Sequence, residues 1–185
     1  MKCSVTKTAI RNTKGCPRNM TKAKTVAFIA LMAALANVMS VPPLAIPIPI
    51  GGPTISVHFF QLAVFLCGII AGPWAGVIGG AVGSLYMGLT KIPFLIGGIA
   101  ILGGSAGLFA KKVRPVLAGL LAWLVQAPYV LLTDYAWFTL FAGNSTTIAW
   151  GLVVPIMISL SLEATVCAAL ADIITYYVKR AGIFF

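Results

Sequence analysis

Charge is confined to a few points in this chain, and the spacing of those points constrains the fold more than any other feature. Between Thr25 and Asp134 the only formal charges are Lys91, Lys111, Lys112 and Arg114, and there is no acid. A water-soluble domain carries about a quarter of its residues as charged side chains. Here the share is 9%, against 60% hydrophobic residues. Each uncharged run is close to the ~20 residues that an apolar helix needs to cross the hydrocarbon core of a bilayer. The sequence therefore reads as an all-α integral membrane protein.

Turn residues and charges divide the apolar sequence into six expected transmembrane helices: 25–41, 54–71, 73–90, 92–110, 115–133 and 152–178. Pro42-Pro43 closes the first. Gly72-Pro73 makes a tight turn with proline at the first helical position of the third. The sixth is longer than a perpendicular crossing, so it tilts or extends beyond the core. Twelve of the thirteen Lys and Arg residues fall before Thr25, at 111–114 and at 179–180. Six crossings put these three clusters on one side, the cytoplasmic side by the positive-inside rule, with both termini there. The opposite side receives a Pro-rich loop, 42–53, a short turn at Lys91 and an aromatic-rich loop, 134–151. Long loops on one face of a bundle are candidate lids.

The net charge of +10 is concentrated in residues 1–24. A basic segment before an apolar helix is a topology signal or an anionic-lipid contact, and this reading is preferred to nucleic-acid binding. No small-residue cleavage site follows the first apolar run, so the segment is read as preceding a retained helix rather than as a signal peptide. Met20 is an alternative start. The expected organisation is a basic tail, 1–21, a six-helix membrane domain, 22–180, and a short end, 181–185. Cys3, Cys16, Cys67 and Cys167 form no Cys-x-x-Cys pair, and no metal site or cofactor is expected.

An ionisable group inside a membrane is costly and needs a reason. Glu163 falls near the middle of the sixth span, facing the bundle interior or a cavity. Asp172 lies nearer the cytoplasmic end, where it reaches water or neutralises Lys112. Near the opposite side gather Asn37, His58, Gln61, Tyr86, Lys91, Gln126, Tyr129, Asp134, Trp137 and Asn144, with Trp150. Aromatic surfaces with a few polar anchors suit a small heterocyclic or acidic molecule. Trp137 and Trp150 fit an interfacial aromatic belt equally well. Asn144-Ser-Thr is a glycosylation sequon, relevant only in a eukaryotic secretory pathway. Ala27, Ala30 and Ala34 share one face of the first helix, a small-residue pattern that allows close helix approach, either within the bundle or to a partner. Gly76-x-x-x-Gly80 and Gly79-x-x-x-Gly83 are expected to serve packing within the bundle. The chain has no P-loop, no Gly-x-Ser-x-Gly and no His-Glu-x-x-His. An enzyme or a self-contained ATP-driven pump is therefore not expected.

These residues together resemble the substrate-binding S-components of energy-coupling factor (ECF) vitamin transporters. The resemblance rests on the basic amino-terminus, on Ile29-Ala-Leu-Met-Ala-Ala-Leu-Ala36, on the Pro-rich loop from Pro42 to Pro53, and on Gly72-Pro-Trp-Ala-Gly76 opening a Gly-rich third span. It covers roughly 22–180. It implies a six-helix bundle in a prokaryotic cell membrane that holds a vitamin in an outward-facing pocket under the first outer loop. It also implies that Ala27, Ala30 and Ala34 dock on a transmembrane T-component joined to two cytoplasmic ATPases, and that the body topples in the membrane to release substrate. Gly88 to Phe94 and Ile48-Pro-Ile resemble biotin-specific members. The region of His58 and Gly72-Pro-Trp74 resembles members for thiamine precursors, and riboflavin stays open. The alternatives are a self-sufficient secondary transporter using Glu163 as its proton site, a membrane enzyme acting on lipid, and a structural assembly subunit.

Overall fold

The computed structural model describes residues 22–41, 46–49 and 54–182. The basic tail, Cys3 and Cys16, and Pro42-Pro43 lie outside them. Helix α1 spans Lys22–Met39. A short antiparallel pair follows, β1 Ile46–Pro49 and β2 Thr54–Val57, with Ile46 opposite Val57 and Pro49 opposite Thr54. The expected all-α architecture is thus corrected at one point: part of the first outer loop is a β-ribbon, and the second helix begins after it. Pro47 and Pro49 cannot donate to a ladder, which confines such a strand to a sheet edge. A two-stranded ribbon consists only of edges.

Helix α2 is Phe60–Ala71. Gly72, at φ +97°, makes the left-handed turn into Pro73, which opens α3, Pro73–Gly83. The expected third span is broken at Ser84, and the chain resumes as α4, Leu85–Thr90. The Ser84 hydroxyl donates to the Gly80 carbonyl at 2.8 Å and to the Ala81 carbonyl at 3.2 Å, and the Gly80 carbonyl also accepts the Ser84 N–H. Helix α5 is Leu95–Phe109 and α6 is Pro115–Ala136. A π-helical segment, Trp137–Phe141, continues α6 and closes with the Ala142 amide on the Trp137 carbonyl. Helix α7 runs Thr146–Ala181. The expected 134–151 outer loop is therefore mostly helical, and residues 142–145 alone connect the two helices. Trp137 stands on a helical turn, because no proline or glycine falls between Pro128 and Gly143, and Trp150 stands on α7.

Glycines set the helix spacing. A Cβ at Gly68 or Gly76 would collide with the Gly103 carbonyl, and one at Gly103 would collide with the Gly76 carbonyl. Helices α2, α3 and α5 meet backbone to backbone, which small residues permit in an environment where dispersion drives association. The expectation that Gly76, Gly79, Gly80 and Gly83 pack inside the bundle agrees with their burial. The core between helices holds Phe60, Phe65, Ile99, Leu102, Trp123 and Leu160. Large apolar side chains also cover the outside, among them Val26, Leu31, Leu89, Leu124, Leu132 and Leu162. In lipid such a surface costs nothing.

Among the described residues three stretches are long and apolar enough to cross a membrane, Lys22–Met39, Pro115–Phe141 and Thr146–Ala181, while α2 and α5 are shorter apolar helices. The chain is a membrane protein. At 36 residues α7 is about 54 Å long, well beyond the ~30 Å hydrocarbon core, so it tilts or emerges.

Candidate functional site

A cavity of about 290 Å³ opens where one end of the bundle gathers the start of α2, the α4–α5 connection, the end of α6 and the first half of α7. Its walls are mostly apolar: Phe60 from α2, Met87 from α4, Ile92 and Leu95 leading into α5, and Leu152, Ile156 and Leu160 from α7. Into this lining project four ionisable residues, His58, Lys91, Asp134 and Glu163. That composition, apolar walls with a few polar anchors, is the usual chemistry of a small-molecule pocket.

Glu163 is 2% exposed and is held from two sides. The backbone N–H of His58 donates to its Oε1 at 2.7 Å, and Gln61 Nε2 donates to its Oε2 at 3.4 Å. His58 directly follows β2, so this acid on α7 ties down the base of the β-ribbon. Lys91 is exposed, and its Nζ lies 3.4 Å from His58 Nε2. Asp134, near the end of α6, is 1% exposed, and its Oδ1 has no hydrogen-bond partner among the described residues. Pro155 supplies no N–H, so the Gly151 carbonyl loses its usual helical donor. Both residues line the cavity.

Four of the residues expected from sequence, His58, Lys91, Asp134 and Glu163, therefore meet at one cavity. The others stand elsewhere. Gln61 is fully buried behind Glu163 and acts through it. Asn37 is a clamp: its Nδ2 donates to the Ala33 and Val82 carbonyls, and its Oδ1 accepts the Tyr86 N–H at 2.9 Å. It thereby fastens α1 to the break between α3 and α4, and Tyr86 enters through its backbone. Tyr129 donates to the Phe94 carbonyl at 3.3 Å. Gln126 is fully buried, with neither amide atom partnered among the described residues. Trp137 stacks on Phe141 at 5.2 Å between ring centroids and meets Phe94 edge-on. The Asn144 amide closes a turn on the Phe138 carbonyl. Asp172 shares a surface groove with Arg114, Tyr176 and Tyr177. Lys112, its expected neutralising partner, is not among the residues lining that groove.

Sequence reasoning misses the α7 wall. Leu152, Pro155, Ile156, Ser159, Leu160 and Glu163 recur at three- and four-residue steps, so they share one helix face. That spacing is readable once Glu163 is singled out. The contributions of Phe60, Met87, Ile92 and Leu95 carry no local mark that separates them from core residues.

These features define a helical membrane protein with a ligand-sized internal cavity. No family model matches the chain, and no curated protein matches it in sequence. Among solved structures, the S component of a bacterial ECF transporter shares its fold. The TM-score is 0.62 at 21% identity, with 88% of this chain and 98% of that one covered. The resemblance read from the sequence is thus met at the level of the fold.

Proposed function

We propose that the chain is the substrate-binding membrane subunit of an ECF-type transporter. In this reading residues 22–180 cross a prokaryotic cell membrane six times, with α3 and α4 together making the third crossing. Both ends and the basic tail, 1–21, are cytoplasmic. The chain captures a vitamin or related small molecule from outside, and a T-component with two ATPase subunits drives uptake. The observation that carries the reading is the cavity holding His58, Lys91, Asp134 and Glu163 within apolar walls, at the bundle end away from the basic Lys111–Arg114 and Lys179–Arg180 segments. Substrate enters between the α4–α5 connection and α7. Closing the mouth falls to the β-ribbon, whose base Glu163 holds through the His58 amide.

The small-residue face of α1 supplies the docking surface. Ala27, Ala30 and Ala34 are exposed, whereas the buried face of the same helix carries Phe28, Ala33 and Ala36. An energised partner can thus approach α1 closely without disturbing the cavity. Native mass spectrometry of gently purified protein tests the first half of the reading: a stoichiometric vitamin-sized adduct is expected. No adduct, together with no thermal shift across a vitamin panel, overturns it. The second half is tested by Ala30→Trp, expected to abolish T-component association and uptake while leaving ligand binding and melting temperature unchanged. Uptake by the chain alone in liposomes, driven by a proton gradient, would instead favour a self-sufficient secondary transporter.

A further inference from the structure

The cavity has a chemical polarity that selects among small molecules, and this selectivity presupposes the substrate-binding function proposed for the chain. Its two carboxylates are not equivalent. Glu163 receives donors from the scaffold on both oxygens, at 2.7 Å from the His58 amide and 3.4 Å from Gln61 Nε2. Asp134 lines the same cavity at 1% exposure, and no donor among the described residues reaches its Oδ1. A buried acceptor left without a donor is expensive, and more so when it is a carboxylate. Gly151, whose carbonyl loses its usual helical donor to Pro155, lines the same cavity. Among the described residues of the lining the one lysine, Lys91, is exposed, lies against His58 and attracts Glu163, while Asp134 has no such cation beside it among the described residues.

We propose that the substrate is a small cationic nitrogen heterocycle whose positively charged or protonated nitrogen end pairs with Asp134, while its ring lies against Phe60, Met87 and Leu160. Asp134 is then the specificity-determining residue, and Glu163 is a positioning residue that shapes the pocket through His58. A cavity of about 290 Å³ holds one such ring system with short substituents. Ligands whose only charge is a carboxylate would face Asp134 across the pocket and be rejected by like-charge repulsion and an unrelieved acceptor.

The test uses the full chain in lipid nanodiscs and matched probes read by isothermal titration calorimetry. These are 1-methylnicotinamide, nicotinamide and nicotinate as a cationic, neutral and anionic series, with thiamine as a larger cation and biotin as a larger carboxylate. Cations are expected to bind at least tenfold more tightly than their neutral and anionic counterparts. D134N is expected to abolish that preference, and D134E to retain it, with native-like melting for the variant scored. A panel in which no cation outbinds its counterpart overturns the proposal, as does a cation preference unchanged in D134N. Tight biotin or nicotinate binding sinks the charge assignment but leaves the substrate-binding reading standing. Silence of every probe, with no co-purified small molecule by native mass spectrometry, brings down both.

Discussion

Replacing Glu163 by alanine removes the acceptor for two buried donors and should loosen the base of the β-ribbon. The side chain points into an existing cavity, so its truncation loses little packing, and the cost comes from hydrogen bonding. The His58 N–H bond, at 2.7 Å to a carboxylate oxygen, is of the charge-assisted kind, worth about 1.5–3 kcal/mol net. The Gln61 contact at 3.4 Å is long and adds a fraction of that. His58 is 4% exposed, so its freed N–H finds water only by local opening. At about 1.4 kcal/mol per factor of ten, amide exchange at His58 should accelerate roughly tenfold to 150-fold. Hydrogen–deuterium exchange with mass spectrometry, on peptides spanning 54–60 in nanodiscs, measures this directly. Glu163→Gln keeps an acceptor oxygen for His58, and Gln61 can turn its amide to suit. Its effect should therefore be several-fold smaller. Leu162→Ala, on the exposed side of the same helix, should leave exchange at 54–60 unchanged. If Glu163→Ala exchanges at His58 within twofold of the parent, the carboxylate does not hold the ribbon and the latch is refuted.

The packing between helices makes further outcomes testable. Asn37→Ala deletes the links to the Val82 carbonyl and the Tyr86 amide, and at about 0.5–1.5 kcal/mol each should cost about 1–3 kcal/mol, seen as a lower melting temperature with faster exchange at 84–87. Gly80→Ala places a methyl 2.5 Å from the Ile99 carbonyl oxygen, a backbone atom that no rotamer change can move. It should cost about 1–3 kcal/mol or more, whereas Gly151→Ala, with nothing within 4 Å, should be neutral to mildly stabilising. Equal melting temperatures for these two variants would contradict the backbone-to-backbone contact of α3 and α5.

Much of this molecule is determined by sequence alone, for a physical reason. A chain with so few charges has no way to face water, so composition already selects lipid as the solvent. Gly72-Pro73 and Lys111–Pro115 mark boundaries through backbone chemistry that acts locally, and both appear where expected. Glu163 stands out in the sequence because an acid among apolar residues must be compensated. Which polar groups meet is not decided there. Asn37, Tyr86, Gln126 and Tyr129 have the composition of pocket residues and the chain positions of pocket residues. Whether each faces the cavity or braces a neighbouring helix depends on the rotation of one helix against another. That rotation is set by long-range contacts such as Gly68, Gly76 and Gly103 meeting backbone to backbone, and no local pattern encodes it. The β-ribbon, the break at Ser84 and the unequal partners of the two carboxylates are likewise visible only in the tertiary structure. The few charges that announce a membrane protein become a candidate site only when packing brings Lys91, Asp134 and Glu163 to one cavity.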